Sequence, residues 1–190
     1  MKAYEAKLIG LSPLLMHNGQ LADAMAPATK ALKEITARRK KTDEDIAEIR
    51  HLEWLGSLYL DEQGRPCIPA DNILSLIVAG AKKDKNGGEA KSGVMTEIGC
   101  DTFALGYDGP RNVDALYADP RFVDCRSAKV MSARVIRTRP IFRSWTLCIK
   151  VLYNEDVIDE QTITQALEMS GERVGLGDYR PRFGRFAVSR

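Results

Sequence analysis

The sequence predicts an α+β domain in which an antiparallel sheet carries two helices on one face. Three observations predict it. The chain opens on a loosely alternating strand, its middle holds a helix that is apolar almost all round, and its last third runs strand, helix, strand.

Residues 2–11, KAYEAKLIGL, alternate and are stopped by Ser12 and Pro13. After the loop SPLLMHNGQ, two helical patterns follow from Pro27, split near Lys41. Thr42 with Asp45 three residues on forms a capping box with Asp in place of Glu, and Ile46, Ile49 and Leu52 make an apolar stripe. The RRKK cluster that ends the first of these helices fits either favourable helix-end electrostatics or RNA contact. SLYLDEQGRPCIP reads as two short strands about a turn at Gln63 and Gly64. Asp71 is the expected N-cap of the buried helix NILSLIVAGAKK. KKDKNGGEAKSG has no apolar period and reads as an exposed loop, and residues 94–125 as short strands over an irregular insertion.

AKVMSARVIRTR (128–139) reads as a strand interrupted by Pro140 and paired as a hairpin with the alternating WTLCIKVLY (145–153). A helix capped by Asp159 buries Ile163, Ala166, Leu167 and Val174, and RFGRFAV is the final strand. The resulting order is the ferredoxin-like (RRM-like) βαββαβ arrangement, with one sheet face open. The expected organisation is a single domain over residues 1–190, with a helical-hairpin insertion at about 20–60 and an irregular one at about 84–125.

Hydrophobic residues are 44% and charged residues 28% of the 190, which argues against wholesale disorder. No apolar run reaches the roughly 20 residues of a membrane span. MKAYEAKLIG alternates where a signal peptide would be continuously apolar, so a cytoplasmic protein with no membrane partner is expected. Cys67, Cys100, Cys125 and Cys148 are scattered without a C-x-x-C pair, and only two histidines are present; reduced thiols, no metal and no cofactor are expected. P-loop, dinucleotide, H-E-x-x-H and G-x-S-x-G motifs are absent.

The net charge of +2 conceals an asymmetry: residues 121–150 hold eight basic side chains against one acidic, Asp124. Such a stretch suits a polyanion, and its candidate contacts are Lys129, Arg134, Arg137, Arg139 and Arg143. Lys82, Lys83 and Lys85, in the polar loop with Lys91, could track phosphates or serve solubility. The C-terminal ERVGLGDYRPRFGRFAV adds a glycine- and arginine-rich loop. Gly175 and Gly177 permit close backbone approach to an anion, and Gly175 equally suits a helix C-cap. Arg180, Arg182 and Arg185 supply bidentate phosphate donors, expected to lie near the basic strand, while Tyr179, Phe183 and Phe186 could stack bases.

Three segments in order resemble the RAMP superfamily, the repeat-associated RNA-binding proteins of CRISPR systems. LIGLSPLLMHNG resembles its first strand and following turn. GRPCIPADNILSLIVAGA resembles the segment opening the first core helix of the guide-RNA-binding backbone subunits, with Ala70 and Asp71 replacing the usual Gly-Ser. GERVGLGDYRPRFGRFAV resembles the glycine-rich loop and last strand, interrupted by Pro181. The likeness is to a divergent member, such as a phage or mobile element could encode.

The resemblance implies that Gly175, Gly177, Arg180, Arg182 and Arg185 bind RNA, and that an insertion grips RNA or a neighbouring subunit. The expected protein is then a non-catalytic RNA-binding subunit of a CRISPR-like multi-subunit ribonucleoprotein engaged in antiviral defence. Its partners would be single-stranded guide RNA, or single-stranded DNA, together with other subunits or further copies in a filament. Two alternatives stand beside this reading. His17, just after the first strand, resembles in place the histidine of metal-independent CRISPR-processing endoribonucleases. A virus-encoded interaction protein that assembles with such a complex, or inhibits it, would also present an arginine surface.

Overall fold

The computed structural model describes residues 1–130 and 133–189. In chain order its main elements are β1 (Lys2–Gly10), β2 (Leu14–Leu15), α1 (Pro27–Thr36), α2 (Asp43–Ser57), β3 (Cys67–Pro69), α3 (Ala70–Ala81), α4 (Gly87–Gly93), β4 (Val94–Met95), β5 (Thr102–Gly106), α5 (Val113–Ala118), β6 (Val123–Val130), β7 (Ala133–Phe142), β8 (Thr146–Tyr153), α6 (Glu160–Arg173) and β9 (Phe186–Ser189). The chain divides into two units, one of residues 1–14, 60–109 and 143–190, the other of residues 15–59 and 110–142.

The first unit holds an antiparallel sheet in the order β3-β5-β8-β1-β9, with β4 also on β8. Its four strands β5-β8-β1-β9, with α3 preceding β5 and α6 preceding β9, are the ferredoxin-like βαββαβ arrangement. Alternation in β1 and β8 sends Tyr4, Ala6, Leu8, Leu147, Ile149, Val151 and Tyr153 into the core. Helix α6 contributes Ile163, Ala166 and Leu167 to that core, each large aliphatic worth about 1.5–3 kcal/mol of burial. Asp159 caps α6 as expected, accepting the Thr162 N–H at 2.6 Å. Helices α3 and α6 meet closely: Ser170 Oγ donates to the Leu76 carbonyl at 2.7 Å, and a Cβ on Gly80 would lie 1.9 Å from the Ala166 carbonyl oxygen.

The open face of this sheet differs from an RNA-stacking platform. Tyr4, Phe103, Trp145, Tyr153 and Phe186 are all buried, whereas Glu5, Lys7 and Cys148 are exposed. The architecture is shared with RRM domains; the aromatic surface on which bases stack is not.

The second unit is built on the three-stranded sheet β2-β7-β6 with α1, α2 and α5. The Trp54 indole N–H, fully buried, donates to the Phe122 carbonyl at 2.9 Å, and Phe122 packs edge-on to Phe142. Thr42 and Asp45 form the expected reciprocal capping box on α2.

Several expectations are corrected. The basic strand β7 is not a hairpin partner of β8: both edges of β8 are occupied, by β1 on one side and by β4 and β5 on the other, and β7 pairs with β6 from Val123↔Pro140 to Val130↔Ala133. The second strand of the ferredoxin frame is therefore β5, out of the stretch read as irregular. Pro140 does not interrupt β7, because its carbonyl still accepts the Met16 N–H at 3.0 Å while its missing donor is not needed there. Residues 87–93, read as loop, form α4, with Gly87, Ala90 and Gly93 buried. Asp71 lies in the first turn of α3, and the N-cap is Pro69. On α2 the exposed Ile46 gives way to Asp45, Glu53, Trp54, Gly56 and Ser57 as the buried face.

Candidate nucleic-acid interface

Helix α6 ends where Gly175, at φ +79°, donates its N–H to the Ser170 carbonyl at 2.8 Å. Gly175 is therefore the helix-terminating glycine, and its amide is not offered to an anion. The loop it releases closes on itself. Leu176 N–H donates to the Gly184 carbonyl at 2.8 Å, and Phe183 N–H to the Tyr179 carbonyl at 3.2 Å. The loop is then tied to the exit of β1: Gly184 N–H donates to the Pro13 carbonyl at 2.8 Å, Arg185 N–H to Ser12 Oγ at 2.9 Å, and Leu11 N–H to the Arg185 carbonyl at 2.7 Å. Gly177, at φ +81°, makes a further turn within the loop, and Tyr179 is itself left-handed at φ +55°.

Arg180, Arg182 and Arg185 are all exposed, and among the described residues no acidic side chain pairs with them. The Arg185 Nε donates to the Pro181 carbonyl at 2.9 Å, and the Arg182 guanidinium lies 5.7 Å from the Phe183 ring centre. Phe183 and Phe186 are buried and cannot stack bases; Tyr179 is exposed and stands edge-on to Phe183. With the Gly175, Leu176, Phe183, Gly184 and Arg185 amides used internally, the loop's capacity for phosphate resides in its arginine side chains rather than in a nest of backbone N–H groups.

The basic strand separates into different roles. Arg137 donates through Nη1 to Oε1 of the buried Glu53, whose Oε2 accepts the Thr138 N–H at 3.0 Å. Arg139 is buried at 8% exposure. These two do not form an open phosphate-binding surface as the sequence suggested, and β7 is no strand of the ferredoxin sheet that would neighbour the glycine loop. Arg134 and Arg143 are exposed. The Lys129 side chain lies outside the described residues, although its backbone pairs with Arg134 in the β6–β7 ladder. Lys82, Lys83 and Lys85 are exposed on a 3₁₀ turn from Lys82 to Asp84 and the left-handed residue that follows.

His17 is exposed, its carbonyl accepting the Tyr59 hydroxyl at 3.1 Å. It borders a cavity of about 610 Å³ within the second unit that also takes in Lys33, Glu53, Arg137 and Arg139. Sequence reading missed Lys33 and Glu53. The signal was available for the first, since Thr29, Leu32, Lys33 and Thr36 of α1, all on the cavity wall, recur at helical spacing. Among the described residues, no group of three or more His, Cys, Asp or Glu is placed to hold a metal ion.

No family model and no curated protein matches the chain. Solved structures do match, among them a chain in the cryo-EM structure of the type III-B Cmr-beta bound to cognate target RNA, at a TM-score of 0.50 and 13% identity. That match covers all of this chain but 60% of the other, so this chain spans about three fifths of that neighbour's length. The likeness is one of fold: the sheet order described above is the ferredoxin-like one.

Proposed function

We propose that this chain is a non-catalytic, RNA-binding subunit of a CRISPR-like multi-subunit ribonucleoprotein, holding the backbone of a single-stranded guide RNA on its arginine- and glycine-rich loop. The observation that carries this reading is the loop of residues 175–185: fixed to the exit of β1 by four backbone amides, those of Leu11, Ser12, Gly184 and Arg185, it presents Arg180, Arg182 and Arg185 to solvent. A fixed scaffold lowers the ordering cost of each arginine–phosphate contact. Arg143, in the same unit, is exposed as well. The fold shared with a chain of an RNA-bound Cmr-beta structure supports the same setting.

Such a site reads phosphate and not sequence. Affinity for single-stranded RNA of different sequences is expected to be similar and to fall steeply with salt. Filter binding of the purified protein to single-stranded RNA and DNA at low salt tests it, together with the 260/280 nm absorbance ratio of the native preparation. Absence of affinity for either polymer would overturn the reading.

A further inference from the structure

We propose that the groove between α3 and α4, in the first unit, is a docking site for an amphipathic, acidic helix of a partner protein. Helix α3 is apolar almost all round, a pattern that ordinarily means burial on every side. One side is buried as expected, through Ile73, Leu76, Ile77 and Gly80, the last against the Ala166 carbonyl of α6. The other side stays half-covered at Leu74, Val78 and Ala79, which with Val94 at the end of α4 line a groove of about 390 Å³. Every residue lining it belongs to residues 60–109, so the groove is complete within one unit.

The shape suits a helix. Leu74, Val78 and Lys82 recur at i, i+4 and i+8 as one ridge, and the small Ser75 and Ala79 make a low row beside it, in which a ridge of an incoming helix can seat. The charge selects an acidic one. Lys82 and Lys91 line the groove and no carboxylate does, since Asp84 and Glu89 of the same segment lie outside it. Neither ammonium is held in an ion pair among the described residues. The Lys82 stem lies against Gly87, where a Cβ would be 2.4 Å from Lys82 Cγ, so this cation is positioned before a partner arrives. A nucleic-acid strand fits less well. The floor is aliphatic, with no aromatic ring for a base to stack on, and a lysine lacks the bidentate geometry of an arginine for phosphate.

The probe is a fluorescently labelled helical peptide of about five turns, with leucines at i, i+3, i+4 and i+7 and glutamates on both flanks. Its anisotropy is followed on titration with the full chain, freed of co-purifying nucleic acid. It is expected to bind at least tenfold tighter than a scrambled peptide of the same composition, and than the same peptide with lysines in place of the glutamates. Ser75 is exposed, so Ser75→Trp obstructs the groove from its solvent side and is expected to weaken binding at least tenfold, as is Lys82→Glu with Lys91→Glu. Lys82 caps the end of α3, where a cation is favoured, so Lys82→Gln with Lys91→Gln repeats the test should the reversed charges disturb the fold. Arg180→Glu with Arg182→Glu is expected to leave peptide binding unchanged. Equal affinity for the amphipathic and scrambled peptides, or peptide binding indifferent to Ser75→Trp and to both lysine pairs, would overturn the proposal. Two further results would overturn it by naming another occupant: single-stranded RNA affinity lost in the lysine variants without peptide binding, or self-association of the chain abolished by Ser75→Trp. Because RNA binding through the arginine loop is lost in a different set of variants, the two readings fail separately.

Discussion

Glu53 on α2 holds Arg137 on β7 through one oxygen and the backbone N–H of Thr138 through the other, at 3.0 Å. Glu53 is 5% exposed, and its charge is tolerated because both carboxylate oxygens are satisfied. Arg137→Ala removes one of these partners. Breaking a fully buried pair costs about 3–5 kcal/mol; with the arginine side chain 38% exposed, solvent screening reduces this to about 1–3 kcal/mol. The melting temperature of Arg137→Ala should fall by several degrees, and Glu53→Gln added to it should restore part of the loss. Thermal unfolding of the two single variants and the double variant measures the coupling. An unchanged melting temperature for Arg137→Ala would mean that the pair does not stabilise the unit.

This pair also marks where the sequence stops being readable. The strands β1 and β8 and the helices α3 and α6 were legible because their apolar periods are long and their ends are marked by Pro, Asp159 and Gly175. The basic strand was legible as a strand, but its partner was not. Pairing is decided by which edges remain open, and β5, which occupies an edge of β8, is only five residues long and leaves little periodic signal. The positions of Arg180, Arg182 and Arg185 in a loop followed from the glycines. That Arg137 is held by a glutamate 84 residues away did not, since no local pattern encodes so distant a contact.

Removing the loop arginines should change the salt dependence of RNA binding and not only its strength. Each phosphate contact with a single strand contributes about 0.7 to the slope of log affinity against log salt. Arg180→Ala, Arg182→Ala and Arg185→Ala combined should reduce that slope by about 2, with little change in melting temperature because all three side chains are exposed. Titrations at four or more salt concentrations give the slope. An unaltered slope would place the phosphate contacts elsewhere.

Two helix starts should weaken together in acid. The Thr42 N–H, followed by desolvation opposing it and then by Arg38, holds the Asp45 carboxyl below the ordinary value of 3.8; the Thr162 N–H does the same for Asp159. A carboxyl depressed in the folded state stabilises it fully above the unfolded value, and that contribution is lost as pH falls through the folded one. Stability from these caps should thus be constant from neutral pH down to about 4 and decline below it. Asp159→Asn, which retains a capping oxygen without the titration, should flatten this decline in urea unfolding curves between pH 2 and 5. An identical pH dependence in the variant would remove Asp159 from the account.

Gly184 is the residue on which the arginine loop depends. It sits at φ +73°, and a Cβ there would lie 1.7 Å from the Leu176 carbonyl oxygen. Gly184→Ala must therefore adopt a left-handed conformation, costing an L-residue about 1–2 kcal/mol, and must also open the loop. The Leu176 N–H bond to the residue-184 carbonyl and the residue-184 N–H bond to Pro13, both 2.8 Å, should be the ones to break. Hydrogen exchange at Leu176 and at residue 184 should accelerate, and RNA affinity should fall although every arginine is still present. Gly19→Ala provides the control, because nothing lies within 4 Å of its added Cβ. If Gly184→Ala bound RNA as tightly as the unaltered chain, the fixed attachment of the loop to β1 would not be what presents the arginines.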